Sequence, residues 1–131
     1  MLTFEEMLAQ HIQGMNSRFQ QADQDLHQVV AEAAKSISRI SNGNTSIQLA
    51  TLNESTDGIM YNLQFVGKGS TINLCSFQVK ATGYPIAVPG AGVGSAKTMT
   101  NRGEIESFLN ELASNPDSPL VRQLAFTVRK K

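Results

Sequence analysis

The sequence predicts an α+β protein: a long amphipathic N-terminal helix, a three- or four-stranded antiparallel meander, and one or two short C-terminal helices. Three patterns support this prediction. Apolar residues recur with helical spacing over 3–41, they alternate with polar residues over 47–82, and helical spacing returns from Asn101 onward. We treat the 131 residues as a single domain, with 1–41 as a helical oligomerisation segment and 45–131 as a sheet with C-terminal helices.

The first helix has a recognisable start and stop. Thr3 and Glu6 form a capping box, since the hydroxyl can accept a hydrogen bond from a first-turn N–H and the carboxylate can reach back to the Thr3 N–H. The segment Asn42-Gly43-Asn44 can adopt the left-handed backbone that ends a helix.

This helix is either continuous or kinked near Gly14. Glycine costs only about 1 kcal/mol inside a helix, and Ser17 with Gln20 forms a second, weaker capping box. The apolar residues nevertheless keep their phase from Ile12 through Phe19. We therefore favour a continuous helix across 14–17.

The apolar stripe of the helix has the spacing of a coiled coil. Its members, separated alternately by four and three residues, are Leu8, Ile12, Met15, Phe19, Ala22, Leu26, Val29 and Ala33. A helix of this length measures roughly 57 Å, whereas a globule of this size is roughly 36 Å across. The helix should therefore project from its globule and find a partner, and we predict a homo-oligomer, with a dimer favoured, that uses these residues. A helix that wraps its own sheet is the alternative for 22–40.

Three alternating segments, 47–52, 59–65 and 71–82, predict consecutive antiparallel strands joined by turns. Alternation is regular in the second segment, which should bury one face. The apolar residues of the third segment change phase midway, and this change favours a bulge near Cys75-Ser76 or a strand covered on both faces.

The meander ends in a short segment between two prolines. Residues 86–88 are apolar and lie between Pro85 and Pro89. Because proline cannot donate to a ladder of hydrogen bonds, we predict a brief edge strand here.

The C-terminal part predicts one secure helix and one ambiguous element. Asn101 and Glu104 form a capping box before an apolar face of helical period. Ser118 before Pro119 is a second helix start. Residues 119–129 are either helix or strand, because the tail from Leu124 also alternates.

A glycine-rich loop over 89–98 is the segment most similar to a ligand-binding motif. Its candidate ligand or partner contacts are Gly90, Gly92, Gly94, Ser95 and Lys97. Glycines allow successive N–H groups to face an anion, but Ser95 and Ala96 separate Gly94 from Lys97, so the nucleoside-triphosphate pattern fails. The dinucleotide fingerprint fails as well, because no G-x-G-x-x-G opens a helix here. We favour a plain flexible connection from the edge strand to the helix, and a loop ordered by a partner is a third interpretation.

Composition excludes several classes of protein. Eleven basic and eleven acidic residues give a formal net charge of zero, which argues against a general nucleic-acid or membrane-surface binder. No apolar run approaches the ~20 residues of a membrane span, and Glu5, Glu6 and Gln10 interrupt any signal-peptide pattern. The single cysteine, Cys75, is compatible with a reducing compartment, so we expect a cytoplasmic protein.

Residues able to carry chemistry are sparse. His11 and His27 lie sixteen residues apart on one helix, and Cys75 is alone, so we expect no metal site and no cofactor. We identify no catalytic residues, because no carboxylates pair as acid and base and Cys75 alternates as a buried strand residue would.

Together these patterns favour a non-enzymatic, cytoplasmic interaction protein. It would self-associate through its N-terminal helix, and its sheet edge or the loop 89–100 would bind another macromolecule, as an adaptor, inhibitor or immunity-type protein does. The alternative is a small-ligand or nucleotide-binding protein, or an enzyme, that uses loop 89–98.

Overall fold

A computed structural model describes residues 1–67, 69–89 and 97–129. The elements, in chain order, are α1 (Phe4–Ile40), β1 (Ser46–Ser55), β2 (Gly58–Gly67), β3 (Ser70–Lys80), β4 (Gly83–Val88), β5 (Lys97–Met99), α2 (Arg102–Ser114) and α3 (Pro119–Arg129). The predicted α+β class and the order of its parts are confirmed.

The first helix is continuous over its 37 residues, and at 1.5 Å per residue it is about 55 Å long. The Thr3 side chain accepts a hydrogen bond from the Glu6 N–H at 3.1 Å, as the capping box requires. Asn42 (φ 55°) and Gly43 (φ 81°) supply the left-handed backbone that ends the helix. Gly14 leaves the helix unbroken, so the prediction of continuity is confirmed.

The five strands lie in the sheet in chain order, and every neighbouring pair is antiparallel. In β2, Tyr61, Leu63 and Phe65 are buried, which confirms the regular alternation expected there. The second half of α1 and helix α2 cover this face, because their apolar side chains share one core with the inward residues of β1 to β5.

The phase change in β3 is a bulge. Leu63 pairs with Cys75 and Gln64 pairs with Asn73, so Leu74 is an extra residue in β3. Leu74 and Cys75 are both buried although they are consecutive. The bulge lies one residue before the predicted position. Cys75 takes the inward position opposite Leu63, so the extra residue of β3 is Leu74.

Residues 86–88 form a strand as predicted, within β4, but the prediction that it lies at the edge of the sheet is wrong. Strand β5 pairs with the outer side of β4, where Ile86 lies opposite Met99. The sequence predicted a loop at β5, because three residues are too few to show a period of two. Pro85 is compatible with an inner strand because it lies where the β3–β4 pairing is interrupted, between the pairs Gln78–Ala87 and Lys80–Gly83.

Two C-terminal helices close the chain, so the alternative of a final strand at 119–129 is wrong. The Ser118 hydroxyl accepts from the Val121 N–H and donates to the Leu112 carbonyl at 2.6 Å, which caps α3 and ties it to α2. At the start of α2, Glu104 accepts from the N–H and the hydroxyl of Thr100, and these bonds lower the pKa of its carboxyl.

Gly83 marks where the globule meets α1. Its φ is +90°, and a Cβ added there would lie 2.5 Å from the carbonyl oxygen of Arg18. Only glycine combines this backbone with so close an approach of the helix. The turn that leads into β4 therefore contacts α1 at Arg18.

We predict that Gly83→Ala destabilises the fold by about 2 to 4 kcal/mol, since it adds a backbone clash to an unfavourable φ. Gly43→Ala is the matched control, because Gly43 also has a positive φ but an added Cβ would have no neighbour within 4 Å. Urea unfolding monitored by circular dichroism measures both. Equal losses in the two variants would contradict the close approach at Arg18.

Candidate interaction surface

The N-terminal part of α1 projects beyond the globule. Every residue over 1–18 is exposed except Gly14, which is half-buried. We call the helical part of this segment, residues 4–18, the arm. Its large apolar side chains are exposed, and within the arm Phe4 (78%) and Ile12 (50%) are the most exposed of them.

The predicted stripe divides at Phe19. Ala22 and Leu26 have no exposed surface and Val29 is 4% exposed, because the sheet of the same chain covers them. Phe19 and Ala33 are partly buried against this core. The alternative of a helix that wraps its own sheet therefore describes 22–40, and of the predicted interface residues the structure leaves Leu8, Ile12 and Met15 open.

The arm also carries a stripe residue that the sequence analysis missed. Phe4 lies one turn before Leu8 and so shares its helix face. The spacing of four residues between Phe4 and Leu8 is visible in the sequence and could have extended the stripe to the start of the helix. The open stripe of the arm is therefore Phe4, Leu8, Ile12 and Met15.

Apart from the contact between Gly83 and Arg18, the side chains of the arm are exposed in the part of the chain that the structure describes. Isolated helices shorter than about 12 to 15 residues are marginal in water, and the arm combines that length with exposed apolar side chains. Its capping box and its continuity with the packed half of α1 stabilise it. A second surface that covered the stripe would add the hydrophobic contribution that a surface helix normally receives.

Two tyrosine–aspartate hydrogen bonds orient α1 on the sheet. Tyr61 of β2 donates to Asp23 at 2.6 Å, and Tyr84 of β4 donates to Asp25 at 2.7 Å. Burial of both phenols, together with these carboxylates, raises the pKa of Tyr61 and of Tyr84 above their ordinary range. Gln21 adds a hydrogen bond to Asp25 at 3.0 Å. The two bonds anchor α1 just beyond the arm and so hold the direction of the arm.

A third contact joins α1 to helix α2. The Arg102 guanidinium donates to Gln28 at 2.5 Å and to Glu32 at 3.3 Å. It also pairs with Glu106 one turn ahead at 3.2 Å. Since these groups are exposed, each pair stabilises little, but together they keep α2 against the packed half of α1.

A second apolar surface lies at the other end of α1. It is a groove of about 520 Å³ between α1, α2 and α3, lined by apolar side chains that include Ile37, Ile40, Leu109, Leu124 and Val128. Ile40 and Val128 are largely exposed at its rim. The groove and the arm therefore occupy opposite ends of the same helix.

The middle of the outer face of the sheet is polar. Gln48 donates to Gln64, which in turn donates to Asn73, at 3.0 and 3.1 Å across three strands. Ser76 donates to Asn62 at 2.8 Å beside them. These side chains satisfy one another, so this part of the face lacks the open apolar character of the arm.

The predicted glycine-rich site lies mostly outside the described residues, since Gly90, Gly92, Gly94 and Ser95 are all beyond them. Lys97 is described. Its ammonium group pairs with Glu111 and lies 5.9 Å from the centre of the Phe108 ring. Lys97 therefore ties β5 to α2.

Within residues 1–67, 69–89 and 97–129, no group of histidine, cysteine and acidic side chains could hold a metal ion. His11 and His27 are both exposed, and the centre of the His27 ring lies 5.0 Å from that of Tyr61 in an edge-to-face arrangement. Burial raises the pKa of the Cys75 thiol to about 12, so the thiol stays protonated and unreactive at neutral pH. No helix in these ranges is long and apolar enough to cross a membrane.

Comparisons with protein-family models, with curated proteins and with solved structures give no match to this chain. The functional argument therefore rests on the surfaces described above.

We predict that Tyr84→Phe destabilises the fold by about 1 to 3 kcal/mol and that Tyr61→Phe costs less. Asp25 is 8% exposed, so it loses a donor that water cannot replace, whereas the Asp23 side chain is 25% exposed and can be hydrated. Chemical denaturation of the two variants measures the difference. A larger loss for Tyr61→Phe would show that exposure of the carboxylate does not decide the cost.

We also predict that the fold loses stability as the pH rises above about 9. Cys75, Tyr61 and Tyr84 all have pKa values that folding raises, so the unfolded chain releases these protons first. Each such group then lowers the free energy of unfolding by up to about 1.4 kcal/mol per pH unit until its folded pKa is reached. Thermal unfolding between neutral and alkaline pH tests this, and Cys75→Ala should flatten the first part of the decline.

Proposed function

We propose that this chain is a non-enzymatic, cytoplasmic interaction protein that self-associates through its arm. The observation that supports the proposal is the arm itself: a continuous helical extension, clear of the globule, whose open stripe is Phe4, Leu8, Ile12 and Met15. An exposed stripe of this kind is the usual mark of a helix that binds another surface.

The stripe has the character of an interface rather than of a solvated helix. Its side chains are large and apolar, and the arm has no aspartate, glutamate, lysine or arginine between Glu6 and Arg18. Interface centres are likewise depleted of charge and enriched in phenylalanine and methionine. A second copy of the chain is a suitable partner because it carries the same stripe.

The geometry also favours binding over catalysis. The stripe lies on the convex surface of an exposed helix, whereas small-molecule sites are concave. The expectation that the protein also binds a different macromolecule stays a prediction. The groove between α1, α2 and α3 is an apolar surface outside the arm that such a partner could use.

Sedimentation velocity tests self-association. We expect the wild-type chain to be dimeric at micromolar concentration and the variant Leu8→Glu/Ile12→Glu to be monomeric. Both side chains are about half exposed in the single chain, so the substitutions should leave the fold intact. Unpaired carboxylates in an apolar interface are costly, and we expect the dissociation constant to rise at least about 100-fold, which corresponds to about 2.7 kcal/mol.

The matched control is Gln10→Glu/Gln13→Glu. It adds the same charge to the same arm on the face opposite the stripe. This variant should dimerise as the wild type does, and circular dichroism should show both variants folded. A wild-type chain that stays monomeric at micromolar concentration would contradict the proposal.

A further inference from the structure

We propose that two arms pair antiparallel, around a two-fold axis beside Ile12, so that the two globules lie at opposite ends of the paired helices. This inference rests on the proposed self-association and adds the orientation and register of the second copy. It follows from the way in which the sheet of each chain covers the stripe beyond Phe19.

The position of the globule disfavours a parallel pair of arms. The face of α1 that carries Leu8 and Ile12 is the face that continues through Ala22 and Leu26, and from there it is covered by the sheet of the same chain. The turn at Gly83 already touches the backbone of Arg18. In a parallel pair, both sheets would enter the space between the two helices at the same level. An antiparallel pair places the sheets at opposite ends and avoids this conflict.

The length of the arm sets the register. When two arms overlap along their full length, Leu8 lies opposite Met15 of the second copy, Phe4 lies opposite Phe19, and Ile12 lies near the axis. Each residue of the open stripe then lies near a large apolar residue of the second copy. A shift of one turn inward would bring Phe4 opposite Asp23, where Tyr61 of the second copy already binds. A shift of one turn outward would leave Phe19 without an apolar neighbour.

Charge favours the same orientation. The arm is acidic at its start, with Glu5 and Glu6, and basic at its end, with Arg18. An antiparallel pair brings each acidic end alongside the basic end of the other arm, and it also opposes the two helix dipoles. A parallel pair would place four carboxylates side by side at one end.

The surface that a stable dimer needs favours full overlap. A standard interface uses about 20 to 30 residues from each partner. The arm, the three residues before it and the half-buried Phe19 together supply nineteen residues, so only full overlap approaches this size. A contact between the tips alone would fall well short of it. With full overlap, the two copies of Phe19 would lie about 22 Å apart along the helix axis, with one globule beyond each.

Disulfide cross-linking between full-length chains tests the orientation. A disulfide needs Cα atoms about 4.4 to 6.8 Å apart. The variants Leu8→Cys and Met15→Cys are first oxidised separately under mild conditions. They are then oxidised together as an equal mixture in which one of the two chains carries a size tag. The wild type, whose only cysteine is the buried Cys75, is the background control. Ile12→Cys, beside the axis, should cross-link to itself.

We expect the mixture of Leu8→Cys and Met15→Cys to form at least about tenfold more cross-linked dimer than either variant alone. Like residues at these positions would be about 10 Å apart along the axis, which is too far for a disulfide. Efficient self-linking of Leu8→Cys would establish a parallel pair and overturn the proposal. Preferential linking of Leu8→Cys to Val128→Cys would place the arm in the groove between α1, α2 and α3 and would overturn it too.

The two proposals fail in different ways. A monomeric wild type refutes self-association, and the antiparallel pair with it. A dimer that separates on Leu8→Glu/Ile12→Glu, yet links like residues to like, refutes the orientation alone. A dimer in which Ile12→Cys fails to link refutes the register.

Discussion

The packing of one half of α1 against the sheet is the constraint on which the rest of this structure depends. Ala22 and Leu26 lie in the core without exposed surface, and Asp23 and Asp25 each accept a hydrogen bond from a tyrosine of the sheet. Apolar burial supplies the stability, whereas the two hydrogen bonds set the rotation of the helix about its axis. Because α1 is continuous, fixing its second half also fixes where the arm points and which of its faces carries the stripe.

This arrangement divides one helix into a half that packs in the core and a half that is exposed. The half of α1 beyond Phe19 contributes to the core, and the arm leaves its apolar side chains in water. Such exposure lowers solubility unless another surface covers it. A second copy would relieve the cost for both chains at once, and a pair of globules at opposite ends of one rod would display each remaining surface twice. The apolar groove would then be available for bivalent contact with a further partner.

Elements with strong periodicity or clear caps were predictable. Helix α1 had a capping box and a long stripe, β2 had regular alternation, and α2 began at Asn101 as its capping box indicated. Short or irregular elements were not. Strand β5 has three residues and forms because β4 offers it an edge, which is a contact between segments and leaves no local pattern. Within 119–129, alternation and helical spacing coexist, and packing against α2 decided for the helix.

The sequence by itself determined that α1 is one helix with one continuous apolar stripe, because helical spacing and caps are local properties of the chain. It could not determine which part of the stripe the sheet would cover. That division depends on the width of the sheet and on the contact between Gly83 and Arg18, which are far apart in the chain. Only the tertiary structure therefore decided that Leu26 belongs to the core and Ile12 to the surface, although both occupy the same stripe.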